Sequence, residues 1–215
     1  GRLGGHSDEA MINGSTGLVG LLGNPVQHSL SPAMQNAALQ ELGLNWRYLA
    51  LPCEGETLPE VLQGLRAVGC RGLNVTIPHK QAVTSLCSEL SEPARRLQAV
   101  NTLIPDDKDG WRGTNTDVEG FLAPLGGREH WQNQQAVVLG CGGSARAVVA
   151  GLQSLGLSSI QVIGRRTEAL LTFIADLQLE SAPLSSCLET DPAVGELLAT
   201  ADLVVNTTPV GMALH

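Results

Sequence analysis

Apolar residues along this chain come in short unbroken runs, separated by stretches in which they recur every three or four positions. Gly17-Leu18-Val19-Gly20-Leu21-Leu22 is such a run, stopped by Gly23 and Pro25, and predicts a buried strand. After a loop holding His28-Ser29-Leu30-Ser31, Pro32 suits the first helical position with Ser31 as N-cap. That helix runs to about Leu42, and Gly43 ends it. Trp46 to Leu51 predicts a second strand. Thr57 and Glu60, three apart, form a capping-box pattern for a helix to about Val68. Gly72 to Ile77 predicts a third strand, with Lys80 opening the next helix. Val100 to Ile104, an Asp-rich turn and Trp111-Arg112-Gly113 predict a hairpin, and Val118 to Leu125 a helix. The polar stretch from Gly126 to Gln135 reads as a linker.

The same grammar then restarts. Ala136 to Leu139 is a strand, Ala145 to Leu155 a helix closed by Gly156, Ile160 to Ile163 a strand, Thr167 to Leu177 a helix, and Leu203 to Val205 a strand. Alternating strands and helices predict an α/β protein with open, mostly parallel sheets and helices on both faces. The expected division is a flexible extension over 1–14, one domain over 15–118 and a second over 119–215.

Aromatic residues are only 3% of the chain, so the core must be built from Leu, Val, Ala and Ile, as buried parallel strands are. The net charge of −8 argues against a nucleic-acid surface or an anionic membrane, but leaves room for a small anion at a local positive site. The five cysteines form no CxxC pair and no His-spaced cluster, so no metal is expected. Reduced thiols in a cytoplasmic protein account for them. No apolar run reaches transmembrane length. Residues 1–10 lack the apolar core of a signal peptide, and Met11 offers a natural start.

Chemistry enters with Lys80, one of two lysines in a chain that otherwise uses arginine. Lysine exchanges a proton readily; arginine does not. In open α/β sheets ligands bind outside the carboxyl ends of the strands. Ser29 and Ser31 follow the first predicted strand, and Thr76 and Lys80 the third. Asn101 and Thr102 interrupt an apolar strand, and Asn115-Thr116-Asp117 follow the hairpin. Singly, Ser31 reads equally as a helix cap, Asn115 as a turn residue and Asp117 as an N-cap. Together they supply hydroxyls and amides for a polyhydroxylated carboxylate, with one amine and one carboxylate for proton transfer.

Gly140-Cys141-Gly142-Gly143-Ser144-Ala145 fits G-x-G-x-x-[G/A] between a predicted strand and helix, the context that makes this motif credible. Gly140 would make the tight turn and Gly142 would let backbone approach a pyrophosphate. Gly143, Ser144 and Ala145 would open the helix toward it. The next strand ends at Arg165-Arg166-Thr167. An NAD site usually places an acid there to bind ribose hydroxyls. Two guanidiniums and a hydroxyl instead match a 2′-phosphate, so NADP(H) is the expected cofactor.

These motifs resemble shikimate dehydrogenase. His28-Ser29-Leu30-Ser31-Pro32 resembles the family's substrate-carboxylate motif, and Asn74-Val75-Thr76-Ile77-Pro78-His79-Lys80 its catalytic-lysine motif. Ala99-Val100-Asn101-Thr102 and Asn115-Thr116-Asp117 resemble its substrate-hydroxyl and catalytic-aspartate motifs. Asn206-Thr207-Thr208-Pro209-Val210-Gly211-Met212 resembles the loop near the nicotinamide. The resemblance implies a substrate domain followed by a Rossmann-type nucleotide domain. The implied reaction is reversible NADPH-dependent reduction of 3-dehydroshikimate to shikimate, toward chorismate and the aromatic amino acids. It implies Lys80 and Asp117 as catalytic residues, and Ser29, Ser31, Thr76, Asn101 and Asp117 as substrate ligands. Glu92 and Met212 would lie by the cofactor. The family's Asn-Arg-Thr motif stands here as Arg165-Arg166-Thr167. The family also continues several dozen residues past the position of His215, so the chain is expected to lack that segment. A quinate/shikimate dehydrogenase is the near alternative. A non-catalytic ligand-binding relative is the distant one, and retention of Lys80 and Asp117 argues against it. A monomer or homodimer is expected.

Overall fold

A computed structural model describes residues 11–178 and 183–210. In chain order the strands and α-helices are β1 (Gly17–Gly23), α1 (Ser31–Glu41), β2 (Trp46–Pro52), α2 (Leu58–Ala67), β3 (Gly72–Val75), β4 (Glu89–Leu90), α3 (Glu92–Leu97), β5 (Thr102–Pro105), β6 (Trp111–Thr114), α4 (Asp117–Leu122), β7 (Gln135–Leu139), α5 (Gly143–Leu155), β8 (Ser159–Gly164), α6 (Thr167–Leu177), β9 (Leu184–Leu188), α7 (Val194–Thr200) and β10 (Leu203–Asn206). They form two compact units. One takes in residues up to 90 together with 101–113; the other takes in 91–100 and everything from 114 on.

The first unit is organised by a six-stranded sheet ordered β2-β1-β3-β5-β6-β4. β1 pairs parallel with β2 and β3, while β5 runs antiparallel to β3. The sheet is thus parallel across β2-β1-β3 and turns antiparallel at β5, the first strand of the hairpin that the sequence predicts. β5 and β6 are joined by the short turn around Asp106, whose N–H donates to the Gly110 carbonyl at 3.1 Å, and so short a connection serves only antiparallel neighbours. Leu21, Leu22, Leu73, Val75 and Leu103 are buried along the central strands.

Tyr48 of β2 is 5% exposed, and its hydroxyl donates to Asn74 Oδ1 of β3 at 2.9 Å. Burial pushes the Tyr48 hydroxyl up to about 12. A pKa raised above the unfolded value of about 10 stabilises the fold below pH 10, and that contribution is lost as pH rises toward 12. Tyr48 is the single tyrosine, so tyrosinate absorbance reports it alone. Its titration midpoint is expected near 12 in the folded protein and near 10 in denaturant. A midpoint near 10 in both would show Tyr48 to be solvated.

The second unit carries an all-parallel sheet ordered β10-β7-β8-β9. Its core joins Val138, Ile160 and Val162 of the sheet to Val149 and Leu152 of α5 and Phe173 of α6. Almost every residue of α5 from Ala145 on is buried, which explains its run of Ala and Val. The short α3 packs here too, Leu97 and the nearby Ala99 lying against Ala147 and Ala150 of α5. Among the described residues, no helix is long and apolar enough to cross a membrane.

Several local expectations change. The third strand stops at Val75, and Lys80 sits in a turn before a 3₁₀ segment, Ala82–Leu86, instead of opening an α-helix. Thr84 and Ser85 turn their hydroxyls onto the carbonyls of Gln81 and Ala82, competing with helical bonding. Thr57 makes no capping box: its hydroxyl donates to the Glu54 carbonyl. Ser31 is the first residue of α1, not its cap; its N–H donates to Ser29 Oγ at 3.2 Å. The stretch expected as a linker folds onto the second unit. There Trp131 Nε1 donates to the Leu125 carbonyl at 2.8 Å, and both residues pack on the core.

Candidate active site

The first group of candidate residues gathers at one edge of the six-stranded sheet. β1, β2 and β3 are parallel, so their carboxyl ends share that edge. Ser29 and Ser31 lie in and just after the loop that leaves β1, both half-buried. Thr76 follows β3 directly, with its N–H donating to the Leu22 carbonyl of β1 at 2.9 Å. Asn101 precedes β5. Because β5 is antiparallel to β3, the beginning of β5 lies at the same edge, and the Asn101 carbonyl accepts from Val75 N–H at 2.8 Å. The amide of Asn101 is oriented locally, its Oδ1 accepting from the Thr102 hydroxyl at 2.9 Å. Lys80 is half-buried in the turn beyond Thr76.

Close approach at this edge depends on Gly23. A Cβ there would collide with the Thr76 methyl and lie 2.8 Å from Val26 Cγ1. A larger residue would push the Thr76–Lys80 turn away from β1.

Asp117 belongs to the second unit, as the half-buried first residue of α4. Its N–H donates to Asn115 Oδ1 at 2.9 Å. Asn115 is 5% exposed, and its Nδ2 donates to the Ala99 carbonyl at 3.0 Å, so its burial is satisfied by backbone. Asn115 thereby sets the start of α4.

The second group surrounds the carboxyl ends of β7 and β8. Gly140 follows β7, donates to the Ile163 carbonyl at 2.8 Å and has φ +103°. A Cβ at Gly140 would lie 2.6 Å from Thr207 Oγ1. The thirteen-residue α5 begins at Gly143 with Gly142 at its cap, and no side chain caps it. Its N-terminal N–H groups and positive dipole end suit an anion. Gly143 and Ser144 are half-buried and Ala145 is fully buried, allowing the close helix–sheet packing this turn needs. Arg165, Arg166 and Thr167 are exposed where β8 gives way to α6. Among the described residues no carboxylate pairs with either arginine. A tight glycine turn, an uncapped helix and two unpaired guanidiniums fit a phosphorylated dinucleotide. Glu92 stands exposed at the start of α3 and pairs with Arg95 at 3.2 Å. Met212 lies outside the described residues.

Gly140→Ala is expected to destabilise the protein by roughly 1–3 kcal/mol, because the left-handed backbone and the Thr207 contact both oppose a side chain. Thermal melting checks this; an unchanged melting temperature would mean that the loop relaxes freely.

Two further buried polar residues lie next to these groups and are not singled out by the sequence pattern. His79 is 2% exposed and joins the turn of Lys80 to Cys53. Arg146, also 2% exposed, bonds Asp176 at 2.8 Å and the Leu97 carbonyl at 3.3 Å, and lies over the Phe173 ring. Their adjacency to Lys80 and to the glycine turn was the available signal.

A parallel sheet with a glycine turn entering a helix, together with a second α/β unit carrying a lysine at its strand ends, is the architecture of a two-unit dinucleotide-binding protein. The sequence is 50% identical over 202 residues to "Shikimate dehydrogenase (NADP(+))" of Prochlorococcus marinus (strain MIT 9215), spanning 94% of this chain and 70% of that protein. The chain belongs to the shikimate dehydrogenase family. Residues 21–103 match the family model described as the shikimate dehydrogenase substrate binding domain. The crystal structure of shikimate dehydrogenase from Aquifex aeolicus superposes with a TM-score of 0.81 at 33% identity, covering 95% of this chain and 73% of that one. The Thermus thermophilus enzyme, solved in complex with shikimate, gives 0.74 at 36% identity over 92% and 71%.

Proposed function

We propose that this chain carries out the NADP(H)-dependent interconversion of 3-dehydroshikimate and shikimate, on the route to chorismate and the aromatic amino acids. The observation that most supports this reading is the gathering of Ser29, Ser31, Thr76, Lys80 and Asn101 at one sheet edge within a chain that belongs to this family. A Thermus thermophilus relative binds shikimate, and the Prochlorococcus relative is named for NADP(+).

In this reading residues 15–118 form the substrate domain and 119–215 the nucleotide domain, after an extension over 1–14. The hydroxyls of Ser29 and Ser31 hold the substrate carboxylate. Thr76, Asn101 and Asp117 hold ring hydroxyls, Asp117 by accepting. In the direction of reduction, Lys80 as an ammonium donates its proton to the carbonyl oxygen as negative charge develops there. In the reverse direction the neutral amine takes the proton from the hydroxyl, with the Asp117 carboxylate sharing the hydroxyl hydrogen bond. Gly140, Gly142, Gly143, Ser144 and Ala145 would hold the pyrophosphate, and Arg165, Arg166 and Thr167 the 2′-phosphate. Glu92 and Met212 would border the same cofactor. NADP(H), when bound, supplies or accepts the hydride. All five cysteines are free thiols, which supports a reducing, cytoplasmic setting. We take it to act as a monomer or homodimer on small molecules.

The test is NADP⁺ reduction by the purified natural protein with shikimate and, separately, quinate. Faster turnover of shikimate with NADP⁺ is expected. Preference for quinate would move the substrate assignment, and NADP(H) binding without any turnover would favour a binding protein.

A further inference from the structure

We infer that His79 is a positioning residue for Lys80, an inference that rests on the reading of Lys80 as the proton-exchanging group. His79 is 2% exposed, and its ring Nε2 lies 2.6 Å from the carbonyl oxygen of Cys53. A carbonyl can only accept, so Nε2 carries the proton and the imidazole is the donor.

The bond runs between segments, not within one. Cys53 follows β2, and its own N–H donates to the Gly23 carbonyl at the end of β1 at 3.1 Å. His79 N–H donates to the Thr76 carbonyl at 3.0 Å, and Thr76 N–H returns to β1 at Leu22. Asn24 N–H donates to the Ile77 carbonyl at 3.0 Å. On the far side of Lys80, Val83 N–H donates to the His79 carbonyl at 3.0 Å, and Val83 is wholly buried. The turn that carries Lys80 is thus tied to β1 by backbone and to the end of β2 by one imidazole.

Packing alone does not call for this residue. A leucine would fill similar volume without burying a donor that must then be satisfied. What the imidazole adds is direction: it sets the spacing between the end of β2 and the residue next to Lys80. A displacement of about 1 Å of a reacting group costs on the order of 10²-fold in rate, so a tether at this point acts on turnover.

The experiment compares His79→Leu, His79→Gln, Lys80→Ala and the double variant His79→Leu/Lys80→Ala in the natural protein. His79→Leu is expected to lower kcat by about 10- to 100-fold, with the shikimate KM changed by less than about threefold. His79→Gln, whose amide nitrogen can donate to the same carbonyl, should recover most of that loss. In the double variant the leucine should add almost nothing to the loss caused by Lys80→Ala, because no amine remains to be positioned. If His79→Leu turns over normally per folded molecule while Lys80→Ala is inactive, this inference alone is overturned. It is overturned equally if the leucine lowers the residual rate of Lys80→Ala as much as it lowers that of the wild type, which marks a general structural effect. Near-normal turnover in Lys80→Ala overturns the Lys80 reading and this inference with it. Should His79→Leu not fold, His79→Gln is compared with His79→Asn, whose amide nitrogen is set one methylene back; the glutamine should be the more active, and equal rates overturn the inference.

Discussion

Lys80→Ala is expected to lower turnover by about 10²–10⁴-fold while leaving shikimate affinity within a few fold. The lysine is half-buried in the turn that follows Thr76 and β3, at the sheet edge where Ser29, Ser31, Thr76 and Asn101 lie. Its proposed role is to move a proton as the carbonyl carbon gains or loses hydride. That interaction strengthens in the transition state, so its loss should fall on kcat rather than on binding. Substrate binding by calorimetry and turnover by NADPH absorbance separate the two. Normal turnover in the variant would remove Lys80 from the mechanism. Loss of binding in proportion to loss of rate would make it a carboxylate ligand instead.

Arg165→Ala/Arg166→Ala is expected to weaken NADP(H) strongly and NAD(H) little. Each charge-assisted bond to a phosphate contributes roughly 1.5–3 kcal/mol, or about 10- to 150-fold in affinity. Both side chains are exposed, so solvent screening places each near the lower end of that range. The selectivity between the cofactors should also narrow as salt is raised in the unmodified protein. The readout is the ratio of the two dissociation constants. Equal weakening of both would show that the arginines support the loop and do not read the 2′-phosphate. Tighter binding of NAD(H) than NADP(H) by the unmodified protein would overturn the cofactor assignment.

Much of this was legible along the chain because it depends on local periodicity. Buried parallel strands are continuous apolar runs, so β1, β7 and β8 stand out, each within a residue or so of its observed bounds. The helix of Thr167 to Leu177 is found at its expected limits, since Arg166 ends the extended strand segment and apolar positions recur cleanly to Leu177. The glycine turn and the Arg165-Arg166 pair are contiguous in sequence, so the nucleotide chemistry needed no tertiary information.

What the sequence could not reveal was set by partners far along the chain. β9 reads Leu-Ser-Ser-Cys-Leu, too polar to suggest a strand, and exists because β8 offers it a parallel ladder from Ile160 to Gly164. The six-residue α3 has two buried apolar residues, Ala94 and Leu97, and Leu97 rests on α5 from a segment about fifty positions earlier. The Lys80 turn is placed by bonds to distant strands: Thr76 N–H reaches Leu22 of β1, and the His79 ring reaches the Cys53 carbonyl just after β2. The antiparallel entry of β5 brings Asn101 to the edge where Thr76 lies. Local pattern thus determined which residue types carry the chemistry. Long-range hydrogen bonding and burial decided where their backbones stand, because a side chain's direction depends on contacts that no window of neighbouring residues contains.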